Sequence, residues 1–220
     1  MDDVSRLAAE LGTEDTKRVA RFLRAEKGDV RKAETRLRRH LEWRAKTLPI
    51  PFETVREELE KLKVVVLPER DGEGRVVVVI RARLLGAHTY GDIGECERAI
   101  ICFAEGLERT LDSDEKITVI FSRLPPNHKP DLRWVKMVGG LLQEHYPERL
   151  HLAVVAPVPA VMLGLWHVVK MLFDPVTRSK IKIAKHSSCF LDLVPPDRLP
   201  LELGGKADYV LSKSDLFVVG

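Results

Sequence analysis

The sequence has 220 residues, of which 45% are hydrophobic and 31% are charged, and its formal net charge is +3. This balance is typical of a globular protein with a sizeable core, and it excludes a chain that is disordered throughout. The three cysteines, Cys96, Cys102 and Cys189, form no close pair, so a disulfide framework is excluded as well.

An uncharged stretch at residues 152–169 is the one candidate for a membrane span. Pro157, Pro159 and His167 interrupt it, whereas a span needs about 20 consecutive apolar residues. The first residues also lack the basic-then-apolar order of a secretory signal. We therefore expect a cytoplasmic protein that associates with membranes only peripherally.

Residues 1–50 are predicted to form a helical N-terminal lobe. Gly12 is suited to end the first helix, Thr13 or Asp15 to cap the second, and Asp29 to cap the third. Residues 16–46 contain twelve Lys and Arg against four Asp and Glu, a local charge of +8. Such a basic surface favours anionic lipid or nucleic acid as a partner. The alternative is a solvated helical face with i,i+4 charge pairs.

The sequence pattern of residues 51–205 predicts a second domain in which strands and helices alternate. The apolar runs 64–67 and 76–80 flank a turn at 71–74, which predicts two adjacent strands. Further strands are predicted at 117–121, 152–156 and 181–185. Helices are predicted at 97–111, after Asp131, from Pro159 to about Phe173, and after Asp174. The fold class is therefore α/β, a mainly parallel sheet covered by helices, with residues 206–220 as a C-terminal tail.

Motifs of catalysis and metal binding are missing from the sequence. There is no phosphate-binding glycine motif, no HExxH and no GxSxG. His145 and His151 are separated by a predicted helix-to-strand break, which is poor geometry for a shared metal. We expect no catalytic residue, no metal, no cofactor and no enzyme activity.

Four segments resemble signatures of the CRAL-TRIO lipid-transfer family. They are RFLRA at 21–25 followed by Asp29, Val30, Ala33, Trp43 and Arg44; YPERL at 146–150; DPVTRSKI at 174–181; and LPLELGG at 199–205. Their order and spacing agree over roughly residues 18–205. The resemblance implies the CRAL-TRIO fold, in which a sheet forms the floor of an apolar lipid pocket, and a phospholipid as the bound ligand.

The resemblance also implies a headgroup site for phosphatidylinositol at Glu148, Arg149, Thr177 and Lys180. Lys180 would supply a point charge and Thr177 a hydroxyl to the phosphodiester, and Glu148 would accept from inositol hydroxyls. Arg149 would hold Glu148 or reach the phosphate. The alternative is structural: an ion pair between Glu148 and Lys180, with Arg149 and Thr177 capping helices.

A gate over the pocket is implied at residues 161–173. Its apolar side chains are expected to contact the membrane when the gate opens. The alternative for such a leucine- and methionine-rich segment is ordinary packing against a core. The expected contact residues are Leu163, Leu165, Trp166, Val169, Met171, Leu172 and Phe173.

Two departures from the family pattern affect the ligand more than the fold. Glu26 stands where the family often has an arginine, and residues 121–126 read FSRLPP in place of an Asp-containing strand end. We expect a monomer that binds phospholipid and no nucleic acid. Alternatives are a lipid-regulated interaction module and a carrier of a sterol, retinoid or tocopherol.

Overall fold

The structure is a computed structural model that describes residues 2–85, 92–125 and 131–212. The N-terminal lobe consists of α1 (Asp3–Leu11), α2 (Thr16–Ala25) and α3 (Val30–Thr47). The carboxylates of Asp15 and Asp29 cap α2 and α3, and Gly12 ends α1 in the left-handed conformation. A small apolar core built on Leu7, Phe22 and Leu37 holds the three helices together. The predicted caps Asp15 and Asp29 are therefore confirmed.

The remaining elements alternate between strands and helices. They are α4 (Arg56–Leu59), β1 (Val64–Val66), β2 (Val77–Arg81), α5 (Ile93–Glu108), β3 (Ile117–Ser122), α6 (Leu132–His145), β4 (Leu150–Ala156), α7 (Leu163–Val169), α8 (Pro175–Ser179) and β5 (Ile181–Ile183). Asp92, Asp131 and Asp174 cap α5, α6 and α8 through their carboxylates. The cap at Asp92 makes α5 begin four residues before the predicted start.

The five described strands form one sheet in the order β1-β2-β3-β4-β5. β1 and β2 are antiparallel, and β2 to β5 are parallel, which confirms the mainly parallel sheet. Successive side chains along each strand point to opposite faces of the sheet, and the two faces contribute to two separate hydrophobic cores. Val78, Val119 and Phe121 belong to the face below α5 and α6, whereas Val77 and Ile120 face the C-terminal segment around Phe190. The cavity described below lies on the α5 and α6 face.

Two partly buried ion pairs and an aromatic stack join the lobe to the sheet domain. Arg44 of α3 donates to both carboxylate oxygens of Glu105 in α5, at 2.7 and 2.9 Å. Arg21 of α2 donates to Glu108 at 2.8 Å. The Trp43 ring stacks on His145 of α6 with a centroid distance of 3.8 Å. These contacts make the lobe part of the wall behind α5 and α6.

His40 lies in the same joint and is 1% exposed. Its Nδ1 is 3.2 Å from Nδ1 of His145, so one ring must donate a hydrogen bond that the other accepts. Burial lowers the pKa of His40 to about 2, and burial also lowers the pKa of His145. The joint therefore holds two neutral imidazoles.

Most of the basic side chains of the lobe are paired. Arg38 pairs with Glu34 and Lys32 with Asp29 within α3 and its cap, and Arg39 reaches Glu144 of α6. The local charge predicted from the sequence is thus largely neutralised by neighbours. This agrees with the alternative of a solvated helical face.

The prediction of one continuous helix from Pro159 to Phe173 is wrong. The α-helix covers only Leu163–Val169, and 3₁₀ turns at Ala160–Met162 and Lys170–Leu172 flank it. No side chain caps α7, and both Gly164 and the β-branched pair Val168-Val169 are poor helix formers. The gate is therefore a segmented strap with about two α-helical turns at its centre.

The C-terminal segment packs on the far face of the sheet. Short 3₁₀ helices at Ser187–Asp192 and Leu201–Leu203 precede a stretch whose Leu211 is 2% exposed. A Cβ atom on Gly205 would come within 1.9 Å of the Leu199 carbonyl oxygen, which accounts for a glycine in the LPLELGG motif. The start of the predicted tail thus belongs to the core, while residues 213–220 lie outside the described residues.

Candidate functional site: an apolar cavity beneath the gate

A cavity of about 570 Å³ lies between the sheet, helices α5 and α6, and the gate. Its volume is in the range of ligand pockets, and hydrocarbon side chains form most of its wall. The floor consists of the side chains that β2 to β5 direct toward α5 and α6. Apolar lining residues are Ile80, Leu107, Leu111, Ile117, Val119, Phe121, Trp134, Val135, Val138, Leu142, Leu150, Ala153, Val155, Val158, Ile181 and Ile183.

The gate presents apolar side chains on both of its sides. Leu165, Trp166, Val169 and Phe173 line the cavity. On the outer side, Leu163 and Met171 are 42% and 75% exposed, and Val161 and Val168 are exposed as well. Leu172 contributes its carbonyl group to a hydrogen bond described next. Of the seven predicted gate residues, four line the cavity, Leu163 and Met171 lie on the outer side, and Leu172 belongs to neither set.

Helix α6 fastens the C-terminal end of the gate. The ring of Phe173 lies directly on Gly139, where a Cβ atom would be 2.9 Å from Cε1 of the ring. The amide of Gln143 brackets Phe173, because its Nε2 donates to the Leu172 carbonyl at 3.2 Å and its Oε1 accepts from the Asp174 amide at 2.7 Å. Sequence reasoning missed both Gly139 and Gln143, since neither belongs to the recognised motifs.

Three of the four residues expected at the headgroup lie together at one end of the cavity. Glu148, Thr177 and Lys180 all line it, near the amino ends of β4 and β5. The Glu148 carboxylate is 3.5 Å from Lys116 Nζ and 4.0 Å from Lys180 Nζ. Glu148 adopts φ +62°, a left-handed conformation that turns the chain from α6 into β4. Asp174, not Thr177, caps α8 through the Val176 and Thr177 amides.

Arg149 also borders the cavity, but its guanidinium is committed to the protein. Its Nε and Nη2 donate to the Glu108 carboxylate, and Nη1 donates to the carbonyls of Asp112 and Glu115, both at 2.8 Å. Arg149 is 7% exposed, and its side chain neither holds Glu148 nor caps a helix. Its place in this network differs from both sequence-based expectations, because the partners come from α5 and the loop before β3.

The lobe contributes a further polar group to this end of the cavity. Lys27 follows α2 in the left-handed conformation, is exposed, and lines the cavity next to Glu26. Glu26 accepts from Arg36 at 2.8 Å, so the acidic departure from the family pattern is neutralised by its own neighbour. Lys27 could have been identified from the sequence, because it stands next to Glu26, directly after the first family-like segment. We define Lys27, Glu148, Thr177 and Lys180 as the headgroup end.

Within the described residues, no group of three or more His, Cys, Asp and Glu side chains is placed to hold a metal ion. No helix in those residues combines the length and apolar character needed to cross a bilayer. His145 contacts His40 rather than His151.

Comparison with known proteins agrees with this architecture. The crystal structure of Sfh5 superposes with a TM-score of 0.70 at 18% identity, covering 91% of this chain and 74% of that one. Phosphatidylinositol transfer protein CSR1 of Eremothecium gossypii is 27% identical over 207 residues, which are 86% of this chain and 47% of that protein. Phosphatidylinositol transfer protein SFH5 of Ajellomyces capsulatus is 27% identical over 223 residues, 86% and 46% of the two chains.

The chain spans about half the length of these curated relatives. The model of the CRAL/TRIO domain family matches residues 60–205, which include the cavity floor, the gate and most of the headgroup end. The chain therefore belongs to the CRAL/TRIO domain family.

Proposed function

We propose that this chain binds a phospholipid, with phosphatidylinositol as the preferred ligand, and exchanges or presents it at membranes. The observation that carries the proposal is the apolar cavity of about 570 Å³ with cationic and hydroxyl groups at one end. An apolar cavity with a few convergent polar groups is the usual design of a site for an amphiphile. The names of the relatives describe transfer of phosphatidylinositol rather than catalysis, which supports a carrier over an enzyme.

The cavity and the headgroup end have separate tasks in such a carrier. Each buried methylene contributes roughly 0.8 kcal/mol, so a lipid with about 30 of them is not released into water. Membrane and cavity both bury the chains, and this large term nearly cancels during exchange. The contacts at the headgroup end, roughly 1.5–3 kcal/mol for each hydrogen bond to a charged group, then decide which lipid is retained.

The headgroup end has the groups that a phosphoinositide requires. Lys180 and Lys27 are cations that suit the phosphodiester, and the Thr177 hydroxyl can donate to it. Glu148 is an acceptor for ring hydroxyls of inositol. We assign Arg149 to the support of this site, because it fixes the start of β3 against α5 and leaves its donors in the protein.

The outer side of the gate is proposed to contact the membrane during exchange. Its exposed Leu163, Val168 and Met171 lie close in sequence to Lys170, Lys182 and Lys185. Apolar groups flanked by basic ones favour an anionic lipid surface. Opening the gate at that surface would let a lipid pass without exposure of its chains to water.

The test is transfer of labelled phosphatidylinositol and phosphatidylcholine between liposomes, with native mass spectrometry of the ligand that copurifies. Lys180→Ala is expected to lower phosphatidylinositol loading about ten-fold while sparing the fold, since it removes one charge-assisted contact. Lys206→Ala is the matched control, because Lys206 is exposed and lies outside the cavity lining and the proposed membrane contact. Unchanged selectivity in Lys180→Ala would make Lys180 structural, and a copurified sterol, retinoid or tocopherol would contradict the phosphoinositide assignment. Binding without transfer would favour the interaction module.

A further inference from the structure

Three charged residues lie side by side at the amino ends of three neighbouring strands. Lys116 directly precedes β3, Glu148 precedes β4 and Lys180 directly precedes β5. These strands are adjacent and parallel in the sheet. The backbone fixes the first two relative to each other, because the Ile117 amide donates to the Arg149 carbonyl at 2.8 Å. We call Lys116, Glu148 and Lys180 the charge triad.

Glu148 stands between the two lysines without a short hydrogen bond to either. Its Oε2 atom is 3.5 Å from Lys116 Nζ and 4.0 Å from Lys180 Nζ, whereas charge-assisted hydrogen bonds of this kind are about 2.7–2.9 Å long. The side chains of Glu148 and Lys180 are both 21% exposed, so solvent screens their attraction only in part. A small movement of the carboxylate is therefore enough to bring it to either ammonium group.

The two lysines belong to different surfaces. Glu148 and Lys180 line the cavity, whereas Lys116 lines an open polar cleft together with side chains such as Arg70 and Glu115. A phosphodiester in the cavity therefore reaches Lys180 directly. Lys116 can act on the same phosphodiester through Glu148, which contacts both surfaces.

A phosphodiester that binds Lys180 competes with Glu148 for the same ammonium group. Two lysines and one glutamate give the charge triad a formal charge of +1, and a phosphodiester with one negative charge brings it to zero. Without Lys116 the remaining pair would be neutral, and a bound lipid would place two anions against one cation. Like charges that close repel each other, and partial burial strengthens the repulsion.

We propose that Lys116 is a positioning residue, which holds the Glu148 carboxylate while the phosphodiester of a lipid takes Lys180. The proposal rests on the phosphoinositide binding proposed above and adds a residue that sets headgroup preference from outside the cavity. Held by Lys116, the Glu148 carboxylate remains an acceptor for ring hydroxyls and does not neutralise Lys180. In the absence of Lys116, Glu148 pairs with Lys180, and both groups are withdrawn from the headgroup.

The test compares the loading of dioleoyl phosphatidylinositol and dioleoylglycerol, which share their acyl chains but differ in the phosphodiester and the ring. The full chain is loaded from vesicles that contain the two lipids in equal amounts, and native mass spectrometry quantifies the bound lipids. The wild type is expected to prefer phosphatidylinositol. Lys116→Ala is expected to reduce the ratio of the two lipids about five-fold, the effect of one partly exposed ion pair.

The ratio is measured within each variant, so a moderate loss of stability does not alter it. Lys116→Arg keeps the positive charge and should keep the ratio within about two-fold of the wild type. Lys206→Ala, at an exposed lysine outside the cavity lining, is the matched control and should leave the ratio unchanged. If Lys116→Ala does not fold, Lys116→Gln gives the same comparison with a longer side chain.

A double-mutant cycle with Glu148→Gln separates positioning from a direct effect of Lys116 on the lipid. The amide of glutamine keeps an acceptor oxygen but carries no charge, so it does not compete with the phosphodiester for Lys180. In this background, Lys116→Ala is expected to change the ratio less than about two-fold. An equal loss in both backgrounds would show that Lys116 attracts the lipid directly or acts on the fold, and would overturn the positioning role.

The remaining outcomes distinguish this proposal from the proposed function. A wild type that prefers phosphatidylinositol, with the same preference in Lys116→Ala, would overturn the role of Lys116 and leave the headgroup assignment intact. A wild type that loads both lipids equally would contradict the phosphoinositide preference and the role of Lys116 with it. A wild type that loads neither lipid would contradict the lipid cavity itself.

Discussion

Replacement of Gln143 by Leu should loosen the gate, because Gln143 lines the cavity and ties the gate to α6. Gln143 makes two hydrogen bonds to the gate, one to the Leu172 carbonyl and one from the Asp174 amide. At about 0.5–1.5 kcal/mol for each bond, their loss costs the closed gate about 1–3 kcal/mol. The equilibrium between open and closed gate should therefore shift about 5- to 150-fold toward open.

The assay for Gln143→Leu is amide hydrogen exchange of peptides from residues 163–173. Because exchange follows the local opening equilibrium, these amides should exchange faster by the same factor, while peptides from β3 and β4 keep their rates. Lys136→Leu on the exposed side of the same helix is the matched control. Unchanged exchange in the Gln143 variant would refute the reasoning and leave the packing of Phe173 on Gly139, with the bond from Arg178 to the Phe173 carbonyl, to fasten this end.

Three other predictions concern the joint, the support of the site and the membrane contact. Because burial lowers the pKa of His40, the free energy of unfolding should be at its maximum above about pH 6.5 and fall by about 1.4 kcal/mol for each pH unit below it. In urea titrations between pH 6.5 and 5, His40→Phe should reduce this pH dependence, whereas the control His186→Gln, at an exposed histidine, should retain it. Arg149→Met should destabilise the fold by about 3 kcal/mol and lower Tm by about 10 °C, because it breaks the ion pair with Glu108. Loss of lipid binding with an unchanged Tm would instead show that Arg149 contacts the lipid directly. Met171→Glu should weaken binding to anionic vesicles about ten-fold or more in sedimentation assays, whereas Leu201→Glu, on an apolar residue that is 63% exposed outside the gate, should not.

The positions of three polar residues at one end of the cavity could be predicted, because these residues lie within two short motifs. Glu148, Thr177 and Lys180 line the cavity, and the turn at Glu148 and the cap at Asp174 are local features that place them there. The role of Arg149 could not be predicted in the same way. Its partners, Glu108 and the carbonyls before β3, are more than thirty residues away in the chain.

The gate likewise has features that the local sequence predicts and features that depend on distant residues. Its position and apolar character were predicted, whereas its continuity as one helix was not. Periodicity alone favoured a helix to Phe173, but the missing cap and the weak helix formers left α-helical geometry only at Leu163–Val169. Which gate residues face inward depends on the packing of Phe173 against Gly139, a contact between separate elements.

The sequence by itself determined the starts of α2, α3, α6 and α8, the strand segments and the family. A capping carboxylate acts within three residues of itself, and apolar alternation within a strand is read without any partner. The tertiary structure alone decided that Gln143 fastens the gate, that Glu105 and Glu108 anchor the lobe, and that Arg123 lies in an apolar wall. Each of these depends on the crossing of elements far apart in the chain, and a charged or amide side chain takes its role from the partner that folding brings to it.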